Sequence, residues 1–430
     1  MTARGLAGSR GRPAGAPRVG LFGLLGSGNI GNDASLESVL GYLAAAHPGA
    51  IVDAMCMGPD RLRDHYGIEA IPLQWSRKYE GRASGGMLIA LKAAGKAADA
   101  FRTASWVRRH DVVIVPGMGV LEASLPLRAS GVPYAMFLLC ASGRLFRTRV
   151  ALISVGATVI SQRLTRWLFT AAARLAWYRS YRDIPSREAM RRNGLDSSRD
   201  PVYPDLVFGL PAPPREPGDP QTVGVGVMEF YGSNDERDRA SEIHASYAGD
   251  IKRFIRWLVD DGRTVRLFTG DKSDLSMVQE IMADLREHRP GLEPSRVVAE
   301  HADSFDELTR AMAPVGAVVA TRYHNVICAL RLAKPTISVG YAGKSQTLMA
   351  DMGLAEFCQS AGSLSADALI GQFTEMENSS ARLRPAIAGR CAAYEQLLGE
   401  QFAALSALLV PGPGRAPAGP EITPAREGAR

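Results

Sequence analysis

The sequence predicts an α/β protein made of two doubly wound parallel sheets, and three observations predict it. Apolar runs of strand length alternate with amphipathic helical periodicity, that rhythm occurs twice, and a proline-rich stretch divides the two occurrences. Strands that alternate with helices pair in parallel through crossover connections, and each crossover helix covers one face of its sheet.

In the first half the strand RVGLFGLLG (18–26) leads into a Gly/Asn turn. A helix follows from about Asp33, with Leu36, Val39, Leu40 and Leu43 on one face. Further strands are read at AIVDAMCM (50–57), DVVIVPGMG (111–119) and VALISVGAT (150–158). The second half repeats the pattern with TVGVGVMEF (222–230), a helix around DIKRFIRWLVDDG (250–262), then TVRLFTG, RVVAE, AVVAT and TISVGY with helices between them. A long helix over about 380–409 closes it and is expected to pack back on the first domain. The stretch GLPAPPREPGDPQT (209–222) carries too many prolines for a helix or a central strand and reads as an interdomain linker. The expected organisation is therefore two Rossmann-like domains, 18–208 and 223–409, facing a cleft. Tails at 1–17 and 410–430 have the Pro/Gly/Arg-rich composition of disorder.

Of the 430 residues 46% are apolar and 22% charged, ordinary globular values that supply cores for two domains. The net charge of +6 favours acidic ligands or anionic surfaces, but no Lys/Arg block interleaved with aromatics points to nucleic acid. Five scattered cysteines without a C-x-x-C signal neither a disulfide framework nor a zinc site, which suits the reducing cytoplasm. No apolar run approaches the roughly 18 residues of a membrane span. The histidines show no H-x-H or H-E-x-x-H, so no metal is expected. A P-loop and a G-x-S-x-G elbow are both absent.

GSGNIGNDASL (26–36) fits the dinucleotide fingerprint G-x-G-x-x-G, with Asp53 in the place of the ribose carboxylate. Its Asn29, Asn32 and Asp33 are polar groups that a pyrophosphate loop does not require. The alternative is a glycine-rich turn with Asp33 capping the helix. In DVVIVPGMGVLE (111–122), Gly117 and Gly119 would let backbone amides approach a ligand, and Glu122 follows. YRSYRDIPSREAMRRNGL (178–195) sets Arg182 and Asp183 at a strand end, where they either serve a site or pair with their surroundings.

TRYHN (321–325) puts Arg322, His324 and Asn325 at a strand-to-helix junction, where ligands bind in doubly wound sheets. Arg322 offers a fork matched to carboxylate or phosphate, and His324 can donate to an anion or move a proton. Lys344, after the next strand, adds a third cation to the same rim, and such cations are costly side by side without an anion. The competing reading is a capping cluster, with Arg322 on a protein carboxylate and His324 on a carbonyl. Between Ala123 and Arg182 nine arginines (128, 144, 147, 149, 163, 166, 174, 179 and 182) occur without an acidic residue. Such one-signed charge is either a solvated face or a means of peripheral contact with anionic lipid at the inner face of the plasma membrane.

Together GNIGNDA, PGMGVLE, the VGA at 155–157, YRD-x-x-S at 181–186, PDLVF at 204–208 and above all TRYHNVICALRLAKPTISVGYAGK at 321–344 resemble the polysaccharide pyruvyl transferases. The resemblance covers most of 18–360. It departs at Asn32, where that family commonly has Asp, and at Met118, where it usually has Gly. It implies a GT-B-like fold and phosphoenolpyruvate as co-substrate, with no other cofactor. Pyruvate would pass as a ketal to a glycan or lipid-linked saccharide acceptor, releasing phosphate. On this reading Arg322, Lys344, Asn325 and Arg182 bind the donor and His324 supplies or takes the proton. Asp33, with Glu122 second, is the base in the first domain, and Asn29, Asn32, Gly117 and Glu122 line the acceptor side. The main alternative is a GT-B-type glycosyltransferase using a nucleotide sugar. A nicotinamide oxidoreductase or a non-enzymatic glycan binder would each explain only part of the pattern. Oligomeric state has no signal in the sequence.

Overall fold

The computed structural model describes residues 16–74, 86–123, 128–232, 234–341 and 343–409. The tails expected to be disordered lie outside these residues, apart from positions 16 and 17.

The first half of the chain runs β1 (Arg18–Gly23), α1 (Ile30–Ala46), β2 (Ile51–Cys56), α2 (Pro59–Tyr66), β3 (Glu69–Pro72), α3 (Gly86–Val107), β4 (Val112–Pro116), α4 (Val132–Phe146), β5 (Arg149–Val155), α5 (Arg163–Leu175), β6 (Tyr178–Tyr181) and α6 (Ile184–Arg192). The second runs β7 (Asp219–Gly226), α7 (Ala240–Asp260), β8 (Thr264–Phe268), α8 (Leu275–His288), β9 (Val297–Ala299), α9 (Phe305–Met312), β10 (Val315–Ala320), α10 (Tyr323–Arg331), β11 (Thr336–Gly340), α11 (Gly343–Asp351), β12 (Cys358–Ser360), α12 (Ala366–Asn378) and α13 (Ser380–Leu409).

Each half forms a six-stranded sheet, ordered β3-β2-β1-β4-β5-β6 and β12-β11-β10-β7-β8-β9. All ten pairings are parallel. The central strands read as unbroken Val/Ile/Ala runs because helices cover both faces. β4 and β10 are buried at every position. Each sheet starts in the middle, winds to one edge and returns past its first strand, so the topological switch points fall at β1/β4 and β7/β10.

By contact, Gly28–Ala34 and Val207–Gln396 form one unit, and Ser35–Leu206 with the chain from Leu397 onward belongs to the other. The first turn of α1 thus groups with the second sheet. In the first unit the end of α13 stacks Phe402 on Tyr42, centroids 4.6 Å apart. Gln401 there accepts from Ser154 Oγ at 2.9 Å and donates to Ser180 Oγ at 2.7 Å, both deep under β5 and β6.

Three sequence expectations change. The helix read from Asp33 begins at Ile30, because the Asn29 side chain accepts from the Gly31 and Asn32 amides at 3.1 and 3.2 Å and caps it. Asn29 is therefore the cap in place of Asp33. The stretch 209–222 is no free linker: β7 starts at Asp219, with Pro220 at the strand's beginning, where a missing N–H is tolerated. The residues before β7 are clamped, since Arg331 donates to the Leu210 and Pro211 carbonyls, both at 2.8 Å, and Lys334 donates to Glu216 O at 2.8 Å. Strands β3 and β12 were not anticipated; they are edge strands of 4 and 3 residues, too short to show a period.

Candidate active site

At the carboxyl edge of the second sheet, β10 ends beside the switch point, and Thr321 N donates to Gly226 O of β7 at 2.9 Å. Thr321 Oγ1 meets the buried Tyr247 hydroxyl at 2.8 Å, and burial pushes that phenol up to about 12. The next residue, Arg322, occupies the N-cap position of α10. Its Nε and Nη2 reach the two oxygens of Asp274 at 2.9 and 2.5 Å, a bidentate pair. Burial lowers the guanidinium pKa, but Asp274 outweighs it and holds the group above its ordinary value.

Asp274 is fully buried and ties three strand ends together. It accepts from Glu229 N beyond β7, and from Gly270 N and Asp271 N beyond β8, at 3.2, 3.2 and 3.1 Å, besides the two bonds from Arg322. Arg322 is thus neutralised within the protein. The expectation that this cation lacks an anion is corrected, because Asp274 supplies it. Sequence reasoning missed Asp274. Its signal was the spacing Asp271-x-x-Asp274 before an apolar run, and the two do form a capping box.

His324 lies in the first turn of α10, half-buried, with its ring edge-on to Tyr323 at a centroid distance of 5.4 Å. The imidazole rests on Gly31, where a Cβ would collide with three ring atoms. Lys344, in the first turn of α11, lies 5.2 Å over the Tyr323 ring and 6.0 Å from that of Tyr341. Tyr323 therefore has His324 at one side and Lys344 over its ring, a role the sequence did not suggest. Asn325 is fully buried, and neither side-chain amide atom has a hydrogen-bond partner among the described residues. Its Nδ2 faces Gly226, where a Cβ would come within 2.8 Å. Asp33, 3% exposed, and Asn32, half-buried, share the first turn of α1 with Gly31. Asp33, Asn29 and Asn32, expected in the first domain, thus lie in the same unit as His324.

The remaining expected residues belong to the first unit. Arg182 is buried and bonded to Glu122, with Asp183 and Asp205 oxygens at 3.6 and 3.7 Å. Gly119 and Gly156 make room for this pair: a Cβ at Gly119 would stand 2.6 Å from the Glu122 carboxyl carbon, and one at Gly156 would stand 2.6 Å from Arg182 Nη2. Arg182, expected to bind the donor, is held at its own sheet edge by Glu122, with Asp183 and Asp205 beside it. Gly117 also serves packing. Its amide donates to Ile153 O at 2.8 Å, and at φ +55° its Cα abuts Ser35. That amide is thereby committed to the protein rather than to a ligand. Asp53 does not sit as a ribose carboxylate would, since Trp106 Nε1 donates to it at 2.6 Å and His110 Nε2 lies 3.0 Å away.

Beside Arg322, a shallow groove is lined by Gly28, Ile30, Thr269, Gly270, Asp271, Lys272, Leu275 and His301. Gly270 joins it to the site, since the Arg322 stem packs over this glycine. Among the described residues no three His, Cys, Asp or Glu side chains gather as a metal ion would require.

The sequence model of the polysaccharide pyruvyl transferases matches residues 29–343, which span both sheet edges described above. The chain belongs to the polysaccharide pyruvyl transferase family. No curated protein matches its sequence. Among solved structures it is similar to the UDP-GlcNAc 2-epimerase of Methanocaldococcus jannaschii, with a TM-score of 0.57 at 8% identity, covering 90% of this chain and 99% of that one. It is also similar to Anabaena Alr3699/HepE in complex with UDP-glucose, with a TM-score of 0.52 at 13% identity, covering 91% and 99%. These likenesses establish the GT-B-like architecture of two doubly wound sheets.

For a pyruvyl transferase the departure at Met118 has a structural meaning. Its φ of 65° lies in the left-handed region, which a glycine enters without cost, and its buried side chain reaches toward Gly23.

Proposed function

We propose that the chain transfers pyruvate from phosphoenolpyruvate to two hydroxyls of one sugar in a polysaccharide or glycolipid precursor, leaving a cyclic ketal and free phosphate. The observation that carries the reading is the grouping of His324, Lys344, Asn325 and the Gly31–Asp33 turn in one unit. The first three stand at adjacent strand ends, and that turn abuts His324. A proton donor, a cation and a carboxylate base are what adding a hydroxyl across the double bond of a small anionic enol phosphate requires.

In the proposed sequence His324 protonates the methylene carbon of the donor, and positive charge develops at C2. The first sugar hydroxyl attacks C2 and passes its proton to Asp33, which shares the first turn of α1 with Gly31. Glu122 is the weaker candidate, because Arg182 already holds it. The C2–O bond to phosphate then breaks as Asp33 passes its proton to the departing phosphate, and the second hydroxyl closes the ring at C2, its proton restoring His324. Lys344 neutralises carboxylate or phosphate. Arg322, spent on Asp274 through two of its nitrogens, acts by holding the start of α10 in place.

A second reading, a glycosyltransferase using a nucleotide sugar, rests on the fold neighbour that binds UDP-glucose. Calorimetric titration of the full chain separates the two. The proposal expects binding of phosphoenolpyruvate that weakens in Lys344→Ala, and no binding of UDP or NAD. Binding of UDP alone would overturn it.

A further inference from the structure

Folding sorts the arginines of residues 123–182 into two sets. Arg149 donates to Leu408 O at 2.6 Å, Arg179 grips Asp200 at 2.8 Å through two nitrogens, and Arg182 turns in to Glu122. Arg144, Arg147, Arg163 and Arg166 do the opposite, and none of their side chains makes an ion pair or hydrogen bond among the described residues. Elsewhere exposed arginines such as Arg239, Arg310 and Arg289 pair with Glu242, Asp306 and Asp260, and ones unpaired among the described residues, such as Arg286, Arg382 and Arg390, stand on helices that also carry acidic residues, which α4 and α5 lack. An ordinary solvated face intersperses its charges in that way. The outer face of α4 and α5 does not.

These two helices follow successive parallel strands, β4 to β5 and β5 to β6, and lie side by side, with Phe137 and Trp167 at centroids 5.4 Å apart. Their inner residues fill the layer against the sheet. Their outer residues are apolar as well: Leu145 is 73% exposed, Leu164 60% and Trp167 55%. Arg163 and Arg166 stand at the start of α5, and Arg144 and Arg147 at the end of α4, so cations flank the apolar stripe at both ends. An exposed apolar stripe rimmed by unpaired cations is the composition of a helix face that lies in a membrane interface.

We infer that the α4–α5 face seats the protein on an anionic lipid bilayer. Leu145, Leu164 and Trp167 enter the headgroup boundary, and the four arginines meet lipid phosphates. No helix among the described residues is long and apolar enough to cross a membrane, so the attachment is peripheral. A second copy of the chain fits this face poorly, because a two-fold contact sets like patches on each other and opposes unpaired arginines to arginines.

The test is sedimentation of the full chain with vesicles of phosphatidylcholine mixed with phosphatidylglycerol, against vesicles of phosphatidylcholine alone. The mixed vesicles are expected to carry the protein down, added salt to release it, and Trp167 fluorescence to shift to the blue. Each arginine contributes roughly a fivefold factor, so Arg144→Gln, Arg163→Gln and Arg166→Gln together weaken partitioning by roughly a hundredfold. Trp167→Ser is expected to release the protein on its own. The control set Arg286→Gln, Arg382→Gln and Arg390→Gln, which removes equal charge from exposed positions of the second unit, binds like the wild type. Equal sedimentation with both vesicle types, no sedimentation of the wild type at low salt, or an equal loss in the control set would each overturn the inference. So would a wild-type dimer that Trp167→Ser converts to monomer.

Discussion

Asp274 takes five hydrogen bonds in a position sealed from solvent, three from backbone amides and two from Arg322. Removing its charge leaves the Arg322 guanidinium buried without a counter-ion, so Asp274→Asn is expected to cost about 3–5 kcal/mol of stability, read from the urea midpoint. Arg322→Lys should also fail to restore the pair, since an ammonium cannot span both oxygens. Under the proposed mechanism a change at Gly31 bears on the chemistry more than on the fold. A methyl there would occupy the place of the His324 ring, and a misplaced proton donor costs roughly a hundredfold in turnover. Gly31→Ala should therefore melt near the wild type while losing that activity, and wild-type turnover would remove His324 from the mechanism. At this scale the sequence marked candidate residues and not whom they touch. Arg322 and His324 stood out because charge at a strand end is unusual. The partner of Arg322 lies 48 positions away in sequence, and nothing local reports it.

At the scale of elements, helices and central strands were legible because their periods are long enough to read. β3 and β12 were not, being brief edge strands. Proline content misled at 209–222, where side chains from α10 and α13 and the α10–β11 turn fasten an extended segment: Arg331, Lys334 and Arg384 all donate to its carbonyls. Lys334 is wholly buried there, and desolvation, then Arg384, pushes its pKa from 10.5 to about 8. Between those values the unfolded chain binds more protons than the fold, so this lysine makes stability rise as pH climbs from about 8 toward 10.5. Denaturant midpoints across that window should show the slope, and Lys334→Met should flatten it. In the loop after β4, Met118→Gly would relieve left-handed strain of roughly 1–2 kcal/mol but forfeit a buried side chain of roughly 2–5 kcal/mol. A net loss of stability is expected.

For the whole molecule, two parallel sheets and membership of the pyruvyl transferase family both follow from patterns that survive in a single sequence. The assignment of 28–34 to the second unit does not, because proximity in the chain suggests the first sheet while packing decides otherwise. That regrouping brings the Asp33 turn beside His324, and the account of catalysis rests on it. The most direct measurement is phosphate release from phosphoenolpyruvate by the full chain supplied with cell-envelope glycan precursors, with mass spectrometry of the product. The account predicts acceptor-dependent release and a pyruvyl ketal on the glycan, both falling by roughly a hundredfold or more in His324→Ala. Release that ignores the acceptor, or a His324→Ala variant that turns over like the wild type, would contradict it.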